Sequence, residues 1–445
     1  MKQSFFNISQ NYGEGVLLYN TLSTSMVELE TDLYTNLFIE ENYQDYLTEI
    51  EALYKMGFFV DDSVDENEEQ RKIRQTVIDS NSGKIANIII APTMECNAHC
   101  FYCFEKGHRK GTMTRKTADA LIEHLTAEWN HRQLGITWFG GEPLLAKDII
   151  SYICDGLKKN QVSFSSKIVT NGVLLDDEVI QNAKKWNIEK IQVSVDGIEE
   201  DYNKIKNYGS AFPDAFTTVK TNIHNALNSG LKIKIRINFD PEKKERALQT
   251  LSYFSKEYAK EEGLKIYFAP IDEEDCVVRN IGNASEECDE HPYISLIKYG
   301  RQNGLYRGFP DMEDEAGSEH DEHGLLKKLK IYPGVTNCYA TCPSVYSVDA
   351  EGSIYKCHRL LGRKEYSSGN IFNGMIKNQA YKFFCNTDPT YEECDHCALL
   401  PICQGGCKVN ALLYHGHEAC APSRAIIKQL ILLYKEDMDA MIERR

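Results

Sequence analysis

Three cysteines in the first quarter of the chain have the spacing of an iron–sulfur ligand set. Cys96, Cys100 and Cys103 lie in the run Cys-Asn-Ala-His-Cys-Phe-Tyr-Cys, which is separated by four residues from the preceding apolar stretch Ile88 to Ala91. A four-iron cube normally takes four cysteine thiolates. Three thiolates in one loop, with no local fourth ligand, therefore suggest a cluster with one iron left open for another ligand.

This C-x3-C-x2-C spacing resembles that of the radical S-adenosylmethionine (SAM) enzymes. The resemblance implies a 4Fe–4S cluster whose open iron chelates the amino and carboxylate groups of the methionine part of SAM. It also implies reductive cleavage of SAM to a 5′-deoxyadenosyl radical, which abstracts hydrogen from a substrate. In such enzymes the cofactor carries the radical chemistry, and the protein binds, orients and excludes water.

From Ile88 onwards, apolar runs typical of strands alternate with amphipathic stretches typical of helices. The strand candidates are 87–91, 136–139, 167–170, 191–195, 232–238 and 264–268. The helix candidates are 117–130, 147–159, 177–186, 213–229 and 241–262. Such β-α units predict a parallel sheet with right-handed crossovers. The resemblance implies an α/β fold, a partial (β/α)6 TIM-like barrel open on one side, with its chemistry at the C-terminal ends of the strands.

Short polar motifs stand where these strands are expected to end. They comprise Tyr102 in the cysteine loop, Gly140, Gly141, Glu142 and Pro143, Thr170 and Asn171, and Ser194 and Asp196. Each motif alone could be a strand-to-helix turn. The resemblance implies that all bind SAM: Gly-Gly-Glu-Pro at the methionine amino group, the third and fourth strand ends near the ribose and carboxylate, and the tyrosine near the adenine.

One position departs from the pattern of the resembled family. Its members often carry His-Asp-x-x-Arg after the fourth strand, and Lys206 stands here in place of that arginine. Lysine is a point charge and cannot form the bidentate fork that arginine offers to a carboxylate. Either Lys206 makes a weaker contact with the SAM carboxylate, or Arg236 on the fifth strand makes it.

A second set of cysteines lies near the C-terminus, with the spacing Cys-x9-Gly-x4-Cys, then Cys-x2-Cys-x5-Cys-x3-Cys-x12-Cys. These spacings are similar to those of the SPASM domain, which follows many radical SAM barrels and holds two auxiliary 4Fe–4S clusters. The resemblance assigns Cys338, Cys342, Cys357 and Cys407 to the first cluster and Cys394, Cys397, Cys403 and Cys420 to the second. Fully thiolate-bound clusters would serve electron transfer or structure. The alternative is structural zinc, since cysteine spacing alone does not fix the metal.

The N-terminal residues predict a small separate unit. Two short apolar runs within 16–29 indicate a β-hairpin, and apolar residues at helical spacing within 42–56 indicate a helix. The pattern looks like the winged-helix-like elements that bind leader peptides of ribosomally made, modified peptides by strand addition. A packing appendage is the alternative. The charged stretch 61–83 looks like a linker.

Composition limits the remaining possibilities. The 445 residues carry a net charge of −16, and residues 1–80 hold five Lys and Arg against sixteen Asp and Glu, a net −11. This charge disfavours nucleic acid as a partner. No apolar run is long enough for a membrane span and no signal peptide is recognisable, which predicts a soluble cytoplasmic protein without a membrane partner. Fifteen cysteines in such a chain indicate metal or catalysis rather than disulfides.

We expect four parts: a winged-helix-like peptide-recognition domain with its linker over residues 1–83, the radical SAM barrel over 84–310, a connection over 311–337 and the SPASM domain over 338–445. The favoured function is a maturase that cross-links or oxidises a precursor peptide, for example through a Cys thioether, with flavodoxin or ferredoxin as electron donor. A formylglycine-forming sulfatase maturase is the alternative, although such enzymes usually begin close to the first strand. A non-catalytic iron–sulfur carrier or zinc scaffold is the alternative of another class. No catalytic acid or base is identified.

Overall fold

The computed structural model describes residues 1–81, 86–108, 111–129, 133–240, 243–259, 261–271, 292–303, 338–386, 392–403, 405–414, 428–436 and 439. Cys420, expected as a cluster ligand, lies outside the described residues. The connection expected over 311–337 does as well.

The first 60 residues form a small unit of short strands and helices. Its elements are β1 (Lys2–Gln3), β2 (Asn7–Tyr12), β3 (Gly15–Asn20), β4 (Met26–Glu30), α1 (Thr31–Tyr34), α2 (Leu47–Lys55) and β5 (Phe59–Val60). The expected hairpin is β3–β4, in which Leu18 pairs with Val27. The sequence pattern does not predict β2, which extends the hairpin into an antiparallel sheet of the order β2-β3-β4, or β1, which pairs with β5.

The stretch expected as a linker forms a helix instead, α3 (Glu66–Asn81). The carboxylate of Glu66 is buried, and it accepts hydrogen bonds from the Ser4 hydroxyl and the Phe5 N–H. Acidic residues in the first turn also suit the positive end of the helix dipole. The expectation failed because α3 is polar on most of its surface, so contacts with other segments, rather than an apolar stripe, define it.

An eight-stranded sheet forms the centre of the chain. Its strands are β6 (Ala86–Ile90), β7 (Leu134–Trp138), β8 (Phe164–Thr170), β9 (Ile188–Val195), β10 (Lys232–Phe239), β11 (Leu264–Pro270), β12 (Val345–Val348) and β13 (Ile354–Tyr355). They lie in the order β11-β10-β9-β8-β7-β6-β12-β13, and β6 to β11 are parallel to their neighbours. The expected α/β fold with a mostly parallel sheet is confirmed.

Helices cover one face of this sheet. They are α4 (Arg115–Trp129), α5 (Lys147–Lys159), α6 (Asp177–Asn182), α7 (Glu199–Lys206), α8 (Ala215–Asn228), α9 (Lys244–Glu257) and α10 (Pro292–Gln302). Ile233, Ile235 and Ile237 of β10 are fully buried in the main apolar core, and their spacing of two leaves the residues between them on the opposite face. Cys154 on α5 is fully buried in the same core.

The C-terminal region is joined to this sheet rather than standing apart from it. Strand β12 pairs in parallel with β6, with Val345 opposite Asn87 and Val348 opposite Ile90. The elements that follow β13 are β14 (Gly369–Asn370), β15 (Gly374–Met375), α11 (Gln379–Cys385), α12 (Leu400–Cys403), α13 (Lys408–Tyr414) and a helix over 428–436. The strand that leads into the first cysteine loop therefore has C-terminal residues as its direct neighbour.

The N-terminal sheet is packed on both faces. Leu17 and Tyr19 share an apolar core with C-terminal residues, and Leu18 and Leu29 share another with α2. Strands β2 and β4 form the two edges of this sheet. Among the helices of the described ranges, none is long and apolar enough to cross a bilayer.

Candidate functional site

The loop after β6 carries the first three cysteines. Cys96, Cys100 and Cys103 are half-buried, and each thiol is free of a disulfide. The Cys103 N–H donates to the Cys100 carbonyl at 3.3 Å, and the His99 N–H donates to the Lys206 carbonyl at 2.8 Å. The loop is thus anchored both within itself and on the end of α7, and it presents three thiols next to the end of β6.

Two glycines after β7 allow the chain to dock on this loop. Gly140 has a φ of +110°, and a Cβ there would lie 2.3 Å from the Thr93 carbonyl oxygen. A Cβ at Gly141 would lie 2.1 Å from the Glu95 carbonyl oxygen, and the next N–H, that of Glu142, donates to the same oxygen at 2.8 Å. The absence of a side chain at these glycines therefore lets their backbone pack directly against the backbone of the segment that leads to Cys96, which includes Glu95.

We expect Gly141→Ala to lower the iron content strongly. The added methyl group would meet main-chain atoms of Glu95, which cannot rotate away, so the cysteine loop must shift. A matched control is Gly263→Ala, whose Cβ would meet no atom nearer than 3.4 Å. Iron per chain after anaerobic reconstitution measures the effect, and equal iron in the two variants would contradict the docking role.

Glu142 connects the ends of β7 and β8. Its side chain is fully buried, and its carboxylate accepts hydrogen bonds from the Leu144 N–H at 3.0 Å, the Thr170 hydroxyl at 2.8 Å and the Asn171 N–H at 2.8 Å. Burial raises the pKa of Glu142 to about 7, against the opposing effect of these hydrogen bonds and of Lys206. The carboxylate thus positions the strand ends by internal bonds on both of its oxygens.

The raised pKa of Glu142 predicts a pH-dependent stability. From the ordinary value of 4.5 up to about 7, folded Glu142 holds its proton more tightly than the unfolded chain does. Its contribution is therefore fully present below 4.5 and is lost as the pH rises through about 7. Glu142→Gln should lose this pH dependence, and the broken bond to the Asn171 N–H should cost about 1–3 kcal/mol. Melting temperatures across this range measure it, and equal pH slopes in both proteins would count against it.

A buried polar network surrounds Tyr102. Lys206 and Asp196 form an ion pair at 2.7 Å, and both side chains are almost completely buried. The Tyr102 hydroxyl donates to Asp196, accepts from Lys206 Nζ at 3.2 Å and accepts from Asn238 Nδ2 at 3.3 Å. Asn238 Nδ2 also donates to Asp196 at 2.6 Å. The network joins the ends of β9 and β10 to the cysteine loop and the end of α7.

Charges in this network act on the nearest thiol. Burial raises the pKa of Cys100, the Lys206 ammonium lowers it, and the Asp196 carboxylate raises it. Burial by itself would lower the pKa of Lys206, but Asp196, Tyr102, Cys100 and Tyr202 together outweigh burial and keep that pKa well above its usual value. A thiol with a raised pKa stays protonated near neutral pH. Coordination to a metal ion such as iron favours its loss of the proton, and the thiol then binds as a thiolate.

Two buried donors at this end of the sheet suit a ligand with oxygen acceptors. Within the described part of the chain, Asn97 Nδ2 and Arg236 Nε have no hydrogen-bond partner. The Asn97 side-chain oxygen is already used, because it accepts from Asn171 Nδ2 at 2.7 Å. Buried donors are nearly always paired in native proteins. The residues present therefore fit a cluster site with a carboxylate-bearing ligand such as SAM beside it.

Arg236 lies deeper in the sheet than the Tyr102 network. It is opposite Ser194 on β9 and opposite Tyr267 on β11, on the same face as Asn238 two residues later. Its charge also reaches His358 of the C-terminal region, where it lowers the pKa. Ser194 and Arg236 are thus neighbours on the inner face, and Ser194 lies two residues before Asp196 in the chain. Lys206, rather than Arg236, lies within the Tyr102 network.

His358 links the cysteine loop to the C-terminal region. Its ring lies 4.9 Å from the ring of Phe139, directly before the two glycines, and 6.0 Å from that of Phe104, directly after Cys103. Its Nδ1 is hydrogen-bonded to the Tyr339 hydroxyl. Burial, with the charges of Arg359 and Arg236, lowers the pKa of His358 to about 3, so the ring is neutral.

The first C-terminal cysteine set comes together around this histidine. Burial, with the nearby thiol of Cys407, raises the pKa of Cys338, and burial with Cys338 and Cys407 raises that of Cys357 to about 12. Cys342 is buried and its carbonyl accepts from Lys356 Nζ at 2.7 Å. Three of the four expected ligands thus influence one another electrostatically, and the fourth, Cys342, lies at the end of a short turn just before β12.

Three members of the second set, Cys394, Cys397 and Cys403, lie within the described range 392–403. The Cys397 N–H donates to the Cys394 carbonyl at 3.1 Å, and Cys403 ends helix α12. Over the described ranges, no three His, Cys, Asp or Glu side chains converge on a point that could hold one metal ion. In a cube each cysteine binds a different iron, whereas zinc needs all its ligands around one ion.

Several residues of this site escape sequence patterns. Asn238 ends the alternating run of β10, which could have indicated an inward-facing polar residue at the strand end. Asn97 and His358 adjoin cysteines, but no spacing rule selects them. The structure brings together the predicted Tyr102, Glu142, Thr170, Asn171, Asp196 and Lys206.

Comparisons with known proteins agree with this arrangement. Residues 90–254 match the family model of the Radical SAM superfamily. The chain is 23% identical over 440 residues to the radical SAM cyclopropyl synthase TigE of Paramaledivibacter caminithermalis, covering 91% of this chain and 86% of that protein. It is also 31% identical over 163 residues to a probable GTP 3′,8-cyclase of Methanococcus aeolicus, of which the match spans about half, 52%.

Two solved structures have a similar fold. The enzyme anSMEcpe, with bound SAM and the peptide Cp18Cys, matches with a TM-score of 0.60 and 18% identity, covering 81% of this chain and 99% of that one. Streptococcus suis SuiB, bound to its precursor peptide SuiA, matches with a TM-score of 0.53 and 17% identity, covering 94% of this chain and 98% of that one. At these identities the likeness concerns the fold.

Proposed function

We propose that this chain, which is an enzyme of the Radical SAM superfamily, modifies a precursor peptide oxidatively, for example by a Cys thioether cross-link. The observation that carries the proposal is the docking of an N-terminal sheet with two strand edges onto a cysteine-rich C-terminal region that continues the central sheet. The family supplies SAM and one 4Fe–4S cluster as cofactors. Bound at the first cysteine loop, they supply a carbon radical that can abstract hydrogen.

The chain's own residues hold and orient these groups. The thiolates of Cys96, Cys100 and Cys103 bind the cluster, and the unpartnered donors of Asn97 and Arg236 face acceptor oxygens of SAM. The other SAM contacts follow the family motifs at the ends of β7, β8 and β9. The Tyr102 network keeps the buried charges of Lys206 and Asp196 paired. Water can therefore be excluded from the site without leaving an isolated buried charge.

We assign two auxiliary 4Fe–4S clusters to the C-terminal region. Cys338, Cys342, Cys357 and Cys407 hold the first, and Cys394, Cys397, Cys403 and Cys420 hold the second. The mutual influence of Cys338, Cys357 and Cys407 supports the first set. The ring contact between His358, which follows Cys357, and Phe139, which follows β7, supports a role for this first cluster in receiving an electron released by the substrate. A flavodoxin or ferredoxin supplies the initiating electron.

The N-terminal sheet is the leader-binding element in this proposal. Its faces are both packed, so an extended peptide would add at an edge, where backbone groups give affinity and alternate side chains give specificity. Edge strand β4 carries the exposed residue Glu30, and its other exposed carboxylate, Glu28, is paired with Lys435 at 3.0 Å. Residues 1–80 carry a net charge of −11, from sixteen acidic and five basic residues, which suits a basic leader. TigE and SuiB, similar over most of the chain, are named as a cyclopropyl synthase and as a complex with a precursor peptide.

The test is co-expression with candidate precursor peptides, followed by an anaerobic assay. The expected result is 5′-deoxyadenosine formation from SAM together with a peptide that has lost two hydrogen atoms and contains a new cross-link, mapped by mass spectrometry. An aldehyde without a cross-link would favour formylglycine formation. Absence of SAM cleavage by the reduced, iron-loaded chain would overturn the proposal.

A further inference from the structure

The N-terminal unit forms an ion pair and hydrogen bonds with the turn that contains Cys394 and Cys397. Arg71 of α3 forms an ion pair with Asp395 at 2.7 Å, and Asn67 Nδ2 donates to the Asp395 carbonyl at 2.8 Å. The Thr21 hydroxyl, which is fully buried, donates to the Ala398 carbonyl. Every one of these contacts falls on a residue that lies between the two cysteines or directly after the second.

Apolar residues that follow this turn pack against the N-terminal sheet. Leu399, directly after this turn, and Ile402, directly before Cys403, share a buried core with Leu17 and Tyr19 of β3. Further along, Lys435 bonds Glu28 of β4 at 3.0 Å. The cysteine segment is therefore enclosed by N-terminal residues on its polar and its apolar side.

The polar contacts are suited to positioning more than to stabilising. The side chains of Arg71 and Asp395 are 36% and 30% exposed, and ion pairs at such sites are usually worth only about 0–1 kcal/mol. Yet Arg71 and Asn67 hold both the side chain and the carbonyl of one residue, which fixes the orientation of the turn. Cluster ligands depend on such supporting bonds for their orientation.

We propose that Arg71, Asn67 and Thr21 are positioning residues for the metal cluster of Cys394, Cys397 and Cys403, so that the N-terminal unit forms part of this cluster site. The inference rests on the auxiliary clusters of the proposed function. These contacts would also couple the leader-binding element to the cluster thermodynamically. A peptide that shifts α3 would change the affinity of the cysteines for the cluster, and binding of the cluster would change the affinity for the peptide by the same factor. Deleting residues 1–80 would consequently damage the cluster site as well as leader binding.

The test uses the full chain with Cys96, Cys100 and Cys103 replaced by alanine, so that iron reports the C-terminal region alone. Into this parent we place Arg71→Ala together with Asn67→Ala. The expected result is loss of about half of the remaining iron, close to one cube, or a shifted midpoint potential and electron paramagnetic resonance signal for one of two clusters. The matched control is Arg115→Ala, which removes another surface pair, with Asp148 at 3.5 Å.

Charge exchange separates positioning from general damage. Arg71→Asp combined with Asp395→Arg restores the pair and should recover iron and potential, whereas Arg71→Asp alone should not. Unchanged iron, potential and spectrum in the double alanine variant would overturn the inference while leaving the proposed function intact. A parent chain that holds no iron in its C-terminal region would overturn the auxiliary-cluster assignment and this inference with it.

Discussion

Replacing Cys96, Cys100 and Cys103 together by alanine should abolish SAM cleavage and remove about four irons per chain. The three thiols stand on one anchored loop beside the Tyr102 network, and the radical SAM match spans residues 90–254. Without thiolates the loop has no soft ligand for iron. Iron, acid-labile sulfide and 5′-deoxyadenosine, measured anaerobically against the parent chain, quantify the loss.

The matched control for this experiment is Cys154→Ala. That cysteine is fully buried in the apolar core of α5 and lies away from the loop. The substitution should lower the free energy of unfolding slightly, because it leaves a small cavity, but the iron content and the rate of SAM cleavage should equal those of the parent. Cleavage that survives in the triple variant would place the cluster elsewhere in the chain and refute the assignment.

Lys206→Met should destabilise the folded chain by about 3–5 kcal/mol, because removal of one partner leaves a buried charge unpaired. The pair joins Lys206 Nζ to Asp196 Oδ2 at 2.7 Å, with side chains 3% and 0% exposed. Methionine keeps the length of the apolar stem, and the main-chain bond from His99 to residue 206 does not depend on the side chain. Anaerobic urea unfolding measures the change in the free energy of unfolding.

The neighbouring Lys204 offers a matched control on the same helix. It pairs with Glu200 at 3.4 Å, but the two side chains are 73% and 88% exposed, so Lys204→Met should change stability by less than about 1 kcal/mol. Adding Asp196→Asn to Lys206→Met removes the unpaired charge and should recover part of the loss. Equal stability of the Lys206 and Lys204 variants would show that the buried pair contributes nothing.

The α/β alternation and the parallel arrangement of the strands could be predicted from the sequence. Apolar runs such as Ile233, Ile235 and Ile237 record burial on one face, and this signal is local to each strand. Strand ends were less accurate: β7, β8 and β9 begin earlier than their apolar runs, because partly polar residues also join the ladder. Helix α7 was missed, since its acidic first turn and few apolar residues carry little periodicity.

The tertiary structure was needed for the N-terminal and C-terminal attachments. The stretch 61–83 looked like a linker because charge dominates it, yet Arg71 and Asn67 use that polarity to hold Asp395 more than three hundred positions away. Strand β12 is short and lies beside β6, with Val345 opposite Asn87, 258 positions earlier in the chain. Periodicity within a segment contains no information about which distant segment it will contact.

The sequence by itself determined the residue types and spacings on which the proposed chemistry depends: three cysteines in one loop, polar motifs at successive strand ends and a second cysteine set near the C-terminus. These signals are short-range, because parallel strands bring their C-terminal ends to one edge whatever else the chain does. Only the tertiary structure decided that Lys206 is paired with Asp196, that Asn238 and His358 belong to the site, and that the N-terminal unit holds the Cys394–Cys397 turn. Those features depend on contacts between residues far apart in the chain, which burial and packing create and spacing does not encode.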